Sequence, residues 1–399
     1  MINLEPTEAM IKIRTAMNGL AAGVLRPIAR KYDEHEHEYP KELDAFRGLQ
    51  VMGKRPKKKE SEAAGKKKEE SPDRVGTNLG TILTVEEMCW GDCGLMLSIP
   101  NAGLGNAAIS AVATDDQMAR FGSKWAAMAI TEASSGSDAG SISTTADLVG
   151  DEYVLNGEKI FVTCADRCDA VVVWATVDKS AGKAGIKSFV VEKGTPGFTL
   201  DHLEHKMGIR ASDTGTFVLN NCKIPKDNIL GSPEVKKSTE GFKGVMKTFD
   251  NTRPMVAAMA LGVARASLDL TREKLSQAGA KLDYDKSPNS CTAAERDFYL
   301  AEANLEASRL LTWRAAWMAD NQEHNNLEAS MSKAKAGRAG TLITQKMCEL
   351  LGPLGFSRNE LAEKWMRDAK ILDIFEGTGQ IQHLIVARNV LKLSSKELK

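Results

Sequence analysis

The sequence lacks several features that mark specialised classes of protein. Lys plus Arg and Asp plus Glu both total 53 in 399 residues, so the formal net charge is zero. Such a balance provides no global attraction to nucleic acid or to an anionic membrane. No apolar run reaches the roughly 18 residues that a membrane-spanning helix needs. The N-terminal residues also lack the basic-then-apolar order of a signal peptide. We therefore expect no nucleic-acid partner and no membrane span.

The cysteines are scattered along the chain and form no metal-binding pattern. Of the seven cysteines none form C-x-x-C, and the pairs Cys89/Cys93 and Cys164/Cys168 lack a second pair of ligands at zinc spacing. The six histidines show no metal spacing with carboxylates either. We interpret the cysteines as reduced thiols, which indicates a cytoplasmic protein, and we predict no metal site.

The first region, residues 1–125, has mainly helical patterning. Apolar residues recur at helical spacing from Pro6 to Asp33, and the pattern resumes at Leu79–Trp90 and Leu104–Phe121. Between them, residues 53–75 are rich in lysine and have almost nothing to bury. We predict a mobile surface loop there, although a contact with a partner stays open.

The middle region, residues 126–238, is rich in short β patterns. Tyr153–Leu155 and Lys159–Thr163 flank Asn156-Gly157, a pair that suits a type I′ turn, so we predict a β-hairpin. Further strands are predicted at Ala170–Thr176, Ser188–Glu192, Phe198–Leu200 and Thr216–Leu219. Strands so closely spaced indicate a compact sheet or barrel.

The last region, residues 239–399, returns to helical patterning. Its four segments are long enough for a helical bundle: Phe242–Ser276, Ala293–Asp320, Asn326–Leu351 and Gln380–Leu393. Small residues between Ala257 and Ala264 permit close helix approach. The order of the whole chain, helical, then β, then helical, predicts an α+β fold with three domains.

Each of the four candidate motifs is weak when it is considered alone, and the first three lie before the last helical segments. Ile130–Asp138 is a run of small and hydroxylated residues that could approach a planar ligand, or could be an ordinary loop. Phe161 and Thr163 share a strand face, where they could contact a ring or simply pack in the core. Asp250 and Arg253 lie three apart near the start of a helix, where they could hold a polar ligand or form a surface ion pair.

The fourth motif carries a carboxylate at a break between two helical patterns. Glu376 stands between Phe375 and Gly377, and an apolar neighbour raises the pKa of a carboxylate toward the range of a general base. Gly377 frees the backbone, and Thr378 is suited to cap the following helix, whose N-terminus favours a phosphate. An isolated carboxylate at this place is more often a helix-end charge than a base.

Taken together, in this order and spacing, the four motifs resemble the signatures of the acyl-CoA dehydrogenase family over nearly the whole chain. The resemblance implies an N-terminal helical domain, a middle β domain and a C-terminal four-helix bundle, with FAD as cofactor. Three groups of residues would serve the site: FAD-binding Met128, Ile130, Thr131, Ser137, Phe161, Val162, Thr163, Gly377, Thr378 and Gln380; substrate-binding Ser137, Asp250 and Arg253; and catalytic Glu376.

The resemblance also implies a reaction. Glu376 would remove the pro-R α-proton of an acyl-CoA while the β-hydrogen leaves as hydride to flavin N5, giving a trans-2-enoyl-CoA. An electron-transferring flavoprotein would then reoxidise the flavin, and the family's fatty-acid β-oxidation and tetrameric assembly are expected here.

Three departures from the family pattern stand out. The usual Arg-x-x-Phe-Gly segment is replaced by Lys274–Leu282, and the usual Gln-x-x-Gly-Gly segment reads Glu349–Pro353. Both segments normally serve FAD across a subunit interface. Phe161 stands where many members have Trp. The first two changes suggest a hetero-oligomer in which a partner chain completes FAD binding, with a homotetramer as the alternative.

Two further readings of the function stay open. An acyl-CoA oxidase would use the same half-reaction and pass electrons to oxygen. A structural subunit would have lost FAD altogether, as the altered segments suggest and the intact Glu376-Gly377-Thr378 argues against. The sequence leaves the acyl chain unassigned, because a pocket separates neighbouring chain lengths by only about 1–3 kcal/mol per methylene.

Overall fold

The structure, a computed structural model, describes residues 5–46, 75–100, 104–235, 240–395 and 397–398. Side chains are described for these residues except 240–251 and Pro288. The predicted loop at residues 53–75 lies almost entirely outside the described residues, which resume at residue 75. Contacts divide the chain into two compact units. The helical unit comprises the described parts of Met1–Pro27, Gln50–Cys93 and Arg253–Lys399, and the sheet unit those of Ile28–Leu49 and Gly94–Thr252.

Helices form most of the described chain outside its middle. In chain order they are α1 (Glu8–Leu20), α2 (Arg26–Glu34), α3 (Thr77–Gly91), α4 (Cys93–Leu97), α5 (Leu104–Val112), α6 (Asp115–Phe121), α7 (Glu240–Gln277), α8 (Ala293–Asp320), α9 (Asn326–Leu351), α10 (Ala362–Ile371) and α11 (Gly379–Leu391). A π-helical segment, Ala21–Leu25, joins α1 to α2. The predicted helix over 104–121 is two helices, and α10 was not predicted as a separate helix.

The helical unit packs its long helices closely, as the small residues of α7 predict. A Cβ on Gly262 would lie 2.3 Å from the Glu86 carbonyl oxygen of α3. A Cβ on Gly340 of α9 would lie 3.3 Å from Cβ of Ala260. Such distances leave room only for small side chains, because protein interiors are close-packed. The helical bundle expected from the last region is thus present.

A buried ion cluster ties α10 to the end of α3 in this unit. The Lys364 ammonium lies 2.5 Å from Asp92 and 2.6 Å from Asp368, and all three side chains are fully buried. Burial opposes the charged ammonium, but the two carboxylates raise the pKa of Lys364 above its ordinary value. Asp368 therefore forms part of a buried ionic contact between α10 and the end of α3, in which each charge has a partner.

The sheet unit contains a seven-stranded sheet. Its strands are β1 (Ala126–Ala129), β2 (Thr145–Val149), β3 (Glu152–Thr163), β4 (Ala170–Thr176), β5 (Ile186–Glu192), β6 (Phe198–Leu203) and β7 (Thr214–Pro225). The spatial order is β1-β4-β2-β3-β7-β6, and β5 pairs with β4. Every residue of β4 is buried, as expected of a strand covered on both faces. The predicted sheet is confirmed.

The predicted hairpin at Asn156-Gly157 is wrong. These residues lie within the continuous strand β3, at a shift of its register against β7. A Cβ on Gly157 would lie 2.5 Å from Thr144 Oγ1, so the glycine serves a close approach rather than a turn. The hairpin forms instead at Gly150-Asp151, because Val149 of β2 pairs with Glu152 of β3.

The boundaries of the three predicted domains stay a prediction. The two compact units are not these domains, because the N-terminal residues are shared between both units. Among the described residues, no helix combines the length and apolar character needed to cross a membrane. All seven cysteines are free thiols, and six are buried.

Candidate active site

The sheet unit presents Phe161 to its surface in a strained conformation. The register of β3 against β7 shifts between Lys159 and Val162, and Phe161 within this bulge has φ 57°. Its side chain is 60% exposed, which is costly for an aromatic residue without a ligand or partner. Thr163, half-buried, and Phe161 flank Val162, whose side chain lies in the core. Val162 could therefore meet a ligand only through its main chain.

The first motif follows β1 and pairs with this bulge. The Ile160 amide donates to the Thr131 carbonyl at 2.9 Å, so the loop and the Phe161 bulge are neighbours. Met128 and Ile130 pack against a small core cluster around Trp174, and Thr131 is half-buried. Ser137 is exposed. Of the predicted residues of this loop, Thr131 is therefore the one that the structure places beside the Phe161 bulge.

Glu132, within this motif, has a structural environment that the sequence did not reveal. Its carboxylate accepts hydrogen bonds from Ser143, from Thr144 and from Lys159, whose Nζ lies 2.7 Å away. Burial raises the pKa of Glu132, but these donors outweigh it and lower the pKa to about 2. The ammonium of Lys159 also donates to the Ile130 carbonyl at 3.1 Å. Glu132 therefore anchors the loop as a permanently ionised carboxylate.

In the helical unit, Glu376 lies on the turn between α10 and α11. Glu376 has φ 57° and Gly377 has φ 92°, so two consecutive residues adopt the left-handed region. A non-glycine residue in this region is strained, and such strain concentrates at functional sites. Glu376 is half-buried. We call residues 372–379 the Glu376 turn. The predicted break between two helices at Glu376 is confirmed.

The beginning of α11 also matches its prediction. Thr378 is the N-cap, and its hydroxyl accepts a hydrogen bond from the Ile381 amide at 3.3 Å. The Gly379 amide donates to the Asp373 carbonyl at 3.0 Å, which closes the Glu376 turn. Gln380, in the first turn of α11, is exposed. The helix end predicted to face a phosphate is therefore built as an N-terminus, with its hydroxyl cap in place.

Two residues without a predicted role hold the Glu376 turn. Lys333 of α9 is fully buried, and its Nζ donates to the Gly377 carbonyl at 2.6 Å. Gln382 Nε2 approaches the carbonyls of Glu376 and Gly377 at 3.4 and 3.2 Å. The sequence offers one indication of the role of Lys333. It is a charged residue among the small residues that form the buried face of α9, where a charge is unexpected.

The two predicted substrate-binding residues of α7 are only partly described. Arg253 is buried, and its Nη1 lies 3.4 Å from Ser330 Oγ, one turn from Lys333 on α9. The Arg253 charge opposes protonation of Lys333 and so lies within its electrostatic reach. Arg253 is thus close to the residues that hold the Glu376 turn. The side chain of Asp250 lies outside the described part of the chain, and its role stays a prediction.

A cluster of potential metal ligands lies elsewhere in the sheet unit. Glu36, His37 and His205 offer ligand atoms within 4.8 Å of one another. The Glu36 carboxylate already accepts the Lys206 amide at 2.9 Å and faces Arg210 Nη2 at 3.3 Å. Burial opposes ionisation of Glu36, yet these donors together with His205 keep its pKa below the usual range. Protein cations thus satisfy this carboxylate, and the prediction of no metal site stays a prediction.

Comparisons with known proteins agree with this arrangement. The family model "Acyl-CoA dehydrogenase, middle domain" matches residues 127–222, and "Acyl-CoA dehydrogenase, C-terminal domain" matches residues 239–391. A short-chain specific acyl-CoA dehydrogenase of Clostridium acetobutylicum is 32% identical over 388 residues, covering 95% of this chain and 97% of that protein. The mitochondrial short-chain specific acyl-CoA dehydrogenase of Mus musculus is 41% identical over 274 residues, which are 68% of this chain.

The mouse alignment spans 64% of that relative's own length. Among solved structures, butyryl-CoA dehydrogenase from Megasphaera elsdenii has a TM-score of 0.82 and is 29% identical, covering 98% of this chain and 100% of its own. The similarity therefore extends over the described helices and the sheet alike.

Proposed function

The chain belongs to the acyl-CoA dehydrogenase family, and on that premise we propose that it dehydrogenates an acyl-CoA thioester to a trans-2-enoyl-CoA with Glu376 as the catalytic base. The observation that carries the proposal is the Glu376 turn. A half-buried carboxylate stands on two left-handed residues, and a buried lysine and a buried glutamine hold the main chain beside it. Stored strain of this kind supports a functional role for the residue that bears it.

Members of this family are FAD-dependent flavoproteins, and features of both units fit that cofactor. Phe161 of the sheet unit is 60% exposed, and an exposed aromatic side chain suits a planar ligand. Thr378 and the first turn of α11 offer a hydroxyl and helix N-terminal amides, which suit a pyrophosphate. When bound, FAD supplies the acceptor for the hydride that leaves the β-carbon of the substrate.

The residues of this chain would supply the proton transfer. In the proposed reaction the Glu376 carboxylate takes the α-proton of the thioester, and the electron pair of that C–H bond forms the new double bond as the β-hydrogen leaves. A base acts well when it is ionised at the working pH and fixed near the proton that it removes. The Glu376 turn supports the second requirement, because Lys333 and Gln382 fix the main chain that carries the carboxylate.

The direct test is Glu376→Gln, which keeps the size of the side chain and removes the base. We expect kcat for acyl-CoA reduction of the flavin to fall about 10²–10⁴-fold, the range that general-base catalysis contributes. Flavin content and thermal stability should stay within error of the parent protein. A variant that retains flavin and full activity would contradict the assignment of Glu376.

We propose a short acyl chain and an electron-transferring flavoprotein as the acceptor. The names of the similar proteins support the first, and the family resemblance supports the second. Steady-state rates with straight-chain acyl-CoAs of increasing length, measured with an electron-transferring flavoprotein, test both. A preference for long chains would contradict the proposed substrate. Peroxide formed in proportion to product, without that acceptor, would favour an acyl-CoA oxidase.

We also propose that a partner chain completes FAD binding. Two observations favour this arrangement over a self-sufficient homotetramer. Lys274, within the segment that replaces Arg-x-x-Phe-Gly, is paired with Glu360 at 2.8 Å in the same chain. Glu349 is paired with Lys346 at 2.5 Å. Purified alone, the chain should hold fewer flavins than subunits; one FAD per chain in a homotetramer would contradict the proposal.

A further inference from the structure

Lys333 is a buried cation whose ammonium donates a hydrogen bond to a main-chain carbonyl. Its side chain is fully buried, and its Nζ lies 2.6 Å from the oxygen of Gly377. Buried lysines are rare unless they are paired, because removing an ammonium from water is costly. A neutral side chain on this face of α9 would avoid that cost. The position of the charge therefore calls for a role other than packing.

The charged groups around Lys333 come from two places. Asp373 and Glu376, both in the Glu376 turn, favour its protonation, and Arg253 of α7 opposes it. Burial lowers the pKa of Lys333 to about 8, and the two carboxylates only partly restore it. The ammonium is therefore mostly charged at neutral pH and lies within electrostatic reach of Glu376.

We propose that Lys333 is a positioning residue for Glu376: its ammonium fixes the left-handed turn through the Gly377 carbonyl and stabilises the ionised form of the Glu376 carboxylate. The proposal rests on the proposed function for its catalytic part. Its structural part, the fixing of the turn, is independent of which reaction the chain catalyses.

Each effect of the ammonium has a physical cause. Two consecutive left-handed residues are strained, so they persist only where neighbouring contacts hold the main chain in that conformation. Lys333 and Gln382 both donate to the Gly377 carbonyl and so provide such contacts. A positive charge near a carboxylate also favours its ionised form, and Lys333 and Glu376 are within electrostatic reach of each other. Lys333 thus keeps the base both in place and ionised.

The test compares Lys333→Met with Lys333→Arg and with Lys335→Met. Methionine has a similar volume and no charge, and Gln382 still donates to the Gly377 carbonyl, so we expect Lys333→Met to fold and retain flavin. Arginine keeps the charge with a different shape. Lys335 is the matched control, because it lies two residues further along α9 and binds Asn304 of α8.

The first measurement is the pH dependence of kcat/KM on the flavin-loaded proteins. For Lys333→Met we expect kcat to fall about 10–100-fold, with KM changed less than about threefold. The acidic limb of the profile should move up by about one pH unit, because the carboxylate loses a neighbouring positive charge. Lys333→Arg should keep the acidic limb near that of the parent, and Lys335→Met should match the parent throughout.

The second measurement is independent of activity. Hydrogen exchange followed by mass spectrometry reports the peptide that covers residues 372–380. This peptide should exchange faster in Lys333→Met than in Lys335→Met. A folded Lys333→Met protein with unchanged exchange, or with an unmoved acidic limb, overturns the proposal. If exchange accelerates but the parent protein reduces no acyl-CoA, the proposed function fails and the fixing of the turn stands.

Discussion

Two glutamates of the chain each have a buried lysine beside them, but the two lysines bind different atoms. In the sheet unit, Lys159 binds the carboxylate of Glu132 itself, at 2.7 Å. In the helical unit, Lys333 binds the main-chain carbonyl of the residue after Glu376, at 2.6 Å. Burial lowers the pKa of both lysines to about 8. The difference therefore lies in what each ammonium fixes.

A lysine on a carboxylate makes that carboxylate a poor base. The pKa of Glu132 falls to about 2, because hydrogen bonds from Lys159, Ser143 and Thr144 stabilise its ionised form. A lysine on the neighbouring main chain fixes where a carboxylate stands and lowers its basicity less, because the ammonium donates to the main chain and not to the carboxylate itself. The comparison separates a structural glutamate from the proposed catalytic one, and the experiments below test that separation.

The largest expected effect on stability comes from Glu132→Gln. The substitution leaves Lys159 buried without its carboxylate, and breaking a buried ion pair from one side costs about 3–5 kcal/mol. We expect about 3 kcal/mol, because Lys159 can lose its proton once Glu132 is gone. Thermal and urea unfolding measure the loss. Glu376→Gln is the matched control and should change stability by less than about 1 kcal/mol; equal losses would contradict the comparison.

The same pair of proteins gives a pH test with a defined sign. Because the folded-state pKa of Glu132 is depressed to about 2, its contribution is present above its unfolded pKa of about 4.3 and is lost as the pH falls toward 2. The part of the difference in unfolding free energy between the parent and Glu132→Gln that comes from the Glu132 carboxylate should therefore shrink as the pH falls below about 4.5.

A smaller effect is expected from Gly377→Ala. Gly377 has φ 92°, and a Cβ there would lie 2.4 Å from Gln382 Nε2, a buried side chain. We expect a loss of about 2 kcal/mol, part from backbone strain and part from the displaced amide. Gly279→Ala is the matched control, since Gly279 has φ 84° and open space around it. Gly279→Ala therefore measures the backbone strain alone, which should lower the free energy of unfolding by about 1 kcal/mol.

Thermal unfolding and kcat are measured together on these two alanine variants. Gly377→Ala should also lower kcat, because it moves the Glu376 turn, and Gly279→Ala should leave kcat unchanged. If both variants lose the same stability and keep full activity, the Glu376 turn is not held as the structure indicates.

Local chemistry made part of this structure predictable from sequence. The helices Ala293–Asp320 and Asn326–Leu351 match their predicted bounds, and the first begins at a capping box formed by Thr292 and Glu295. The break at Glu376 and the cap at Thr378 were also predictable, because both depend on adjacent residues in the sequence. Gly377 interrupts the helical pattern, and Thr378 caps the helix that follows it.

Contacts between distant residues explain what was missed. Asn156-Gly157 reads as a turn, but Gly157 packs against Thr144 inside a sheet. Lys159 and Glu132 are 27 residues apart, and Lys333 and Gly377 are 44 apart. Pairings over such distances leave no local pattern, so the role of either lysine appears only when the chain is folded.

The smallest effect on stability is expected from Thr378→Ala, which removes the N-cap of α11. Loss of a threonine cap costs about 1 kcal/mol. Thr7→Ala is the matched control, because Thr7 caps α1 through a hydrogen bond of the same length, 3.3 Å, from the Met10 amide. Urea unfolding should show similar losses for the two variants.

Flavin binding then distinguishes the two caps. The Thr378 hydroxyl accepts from Ile381 and still has a proton to donate, which a bound phosphate would accept. Its removal should weaken FAD binding about fivefold to tenfold, the equivalent of one hydrogen bond, whereas Thr7→Ala should leave FAD affinity unchanged. The measurement is the dissociation constant of FAD from each apoprotein. Equal affinities would mean that Thr378 caps its helix as Thr7 does and that the phosphates bind elsewhere, because a cap used only for folding has no reason to affect the cofactor.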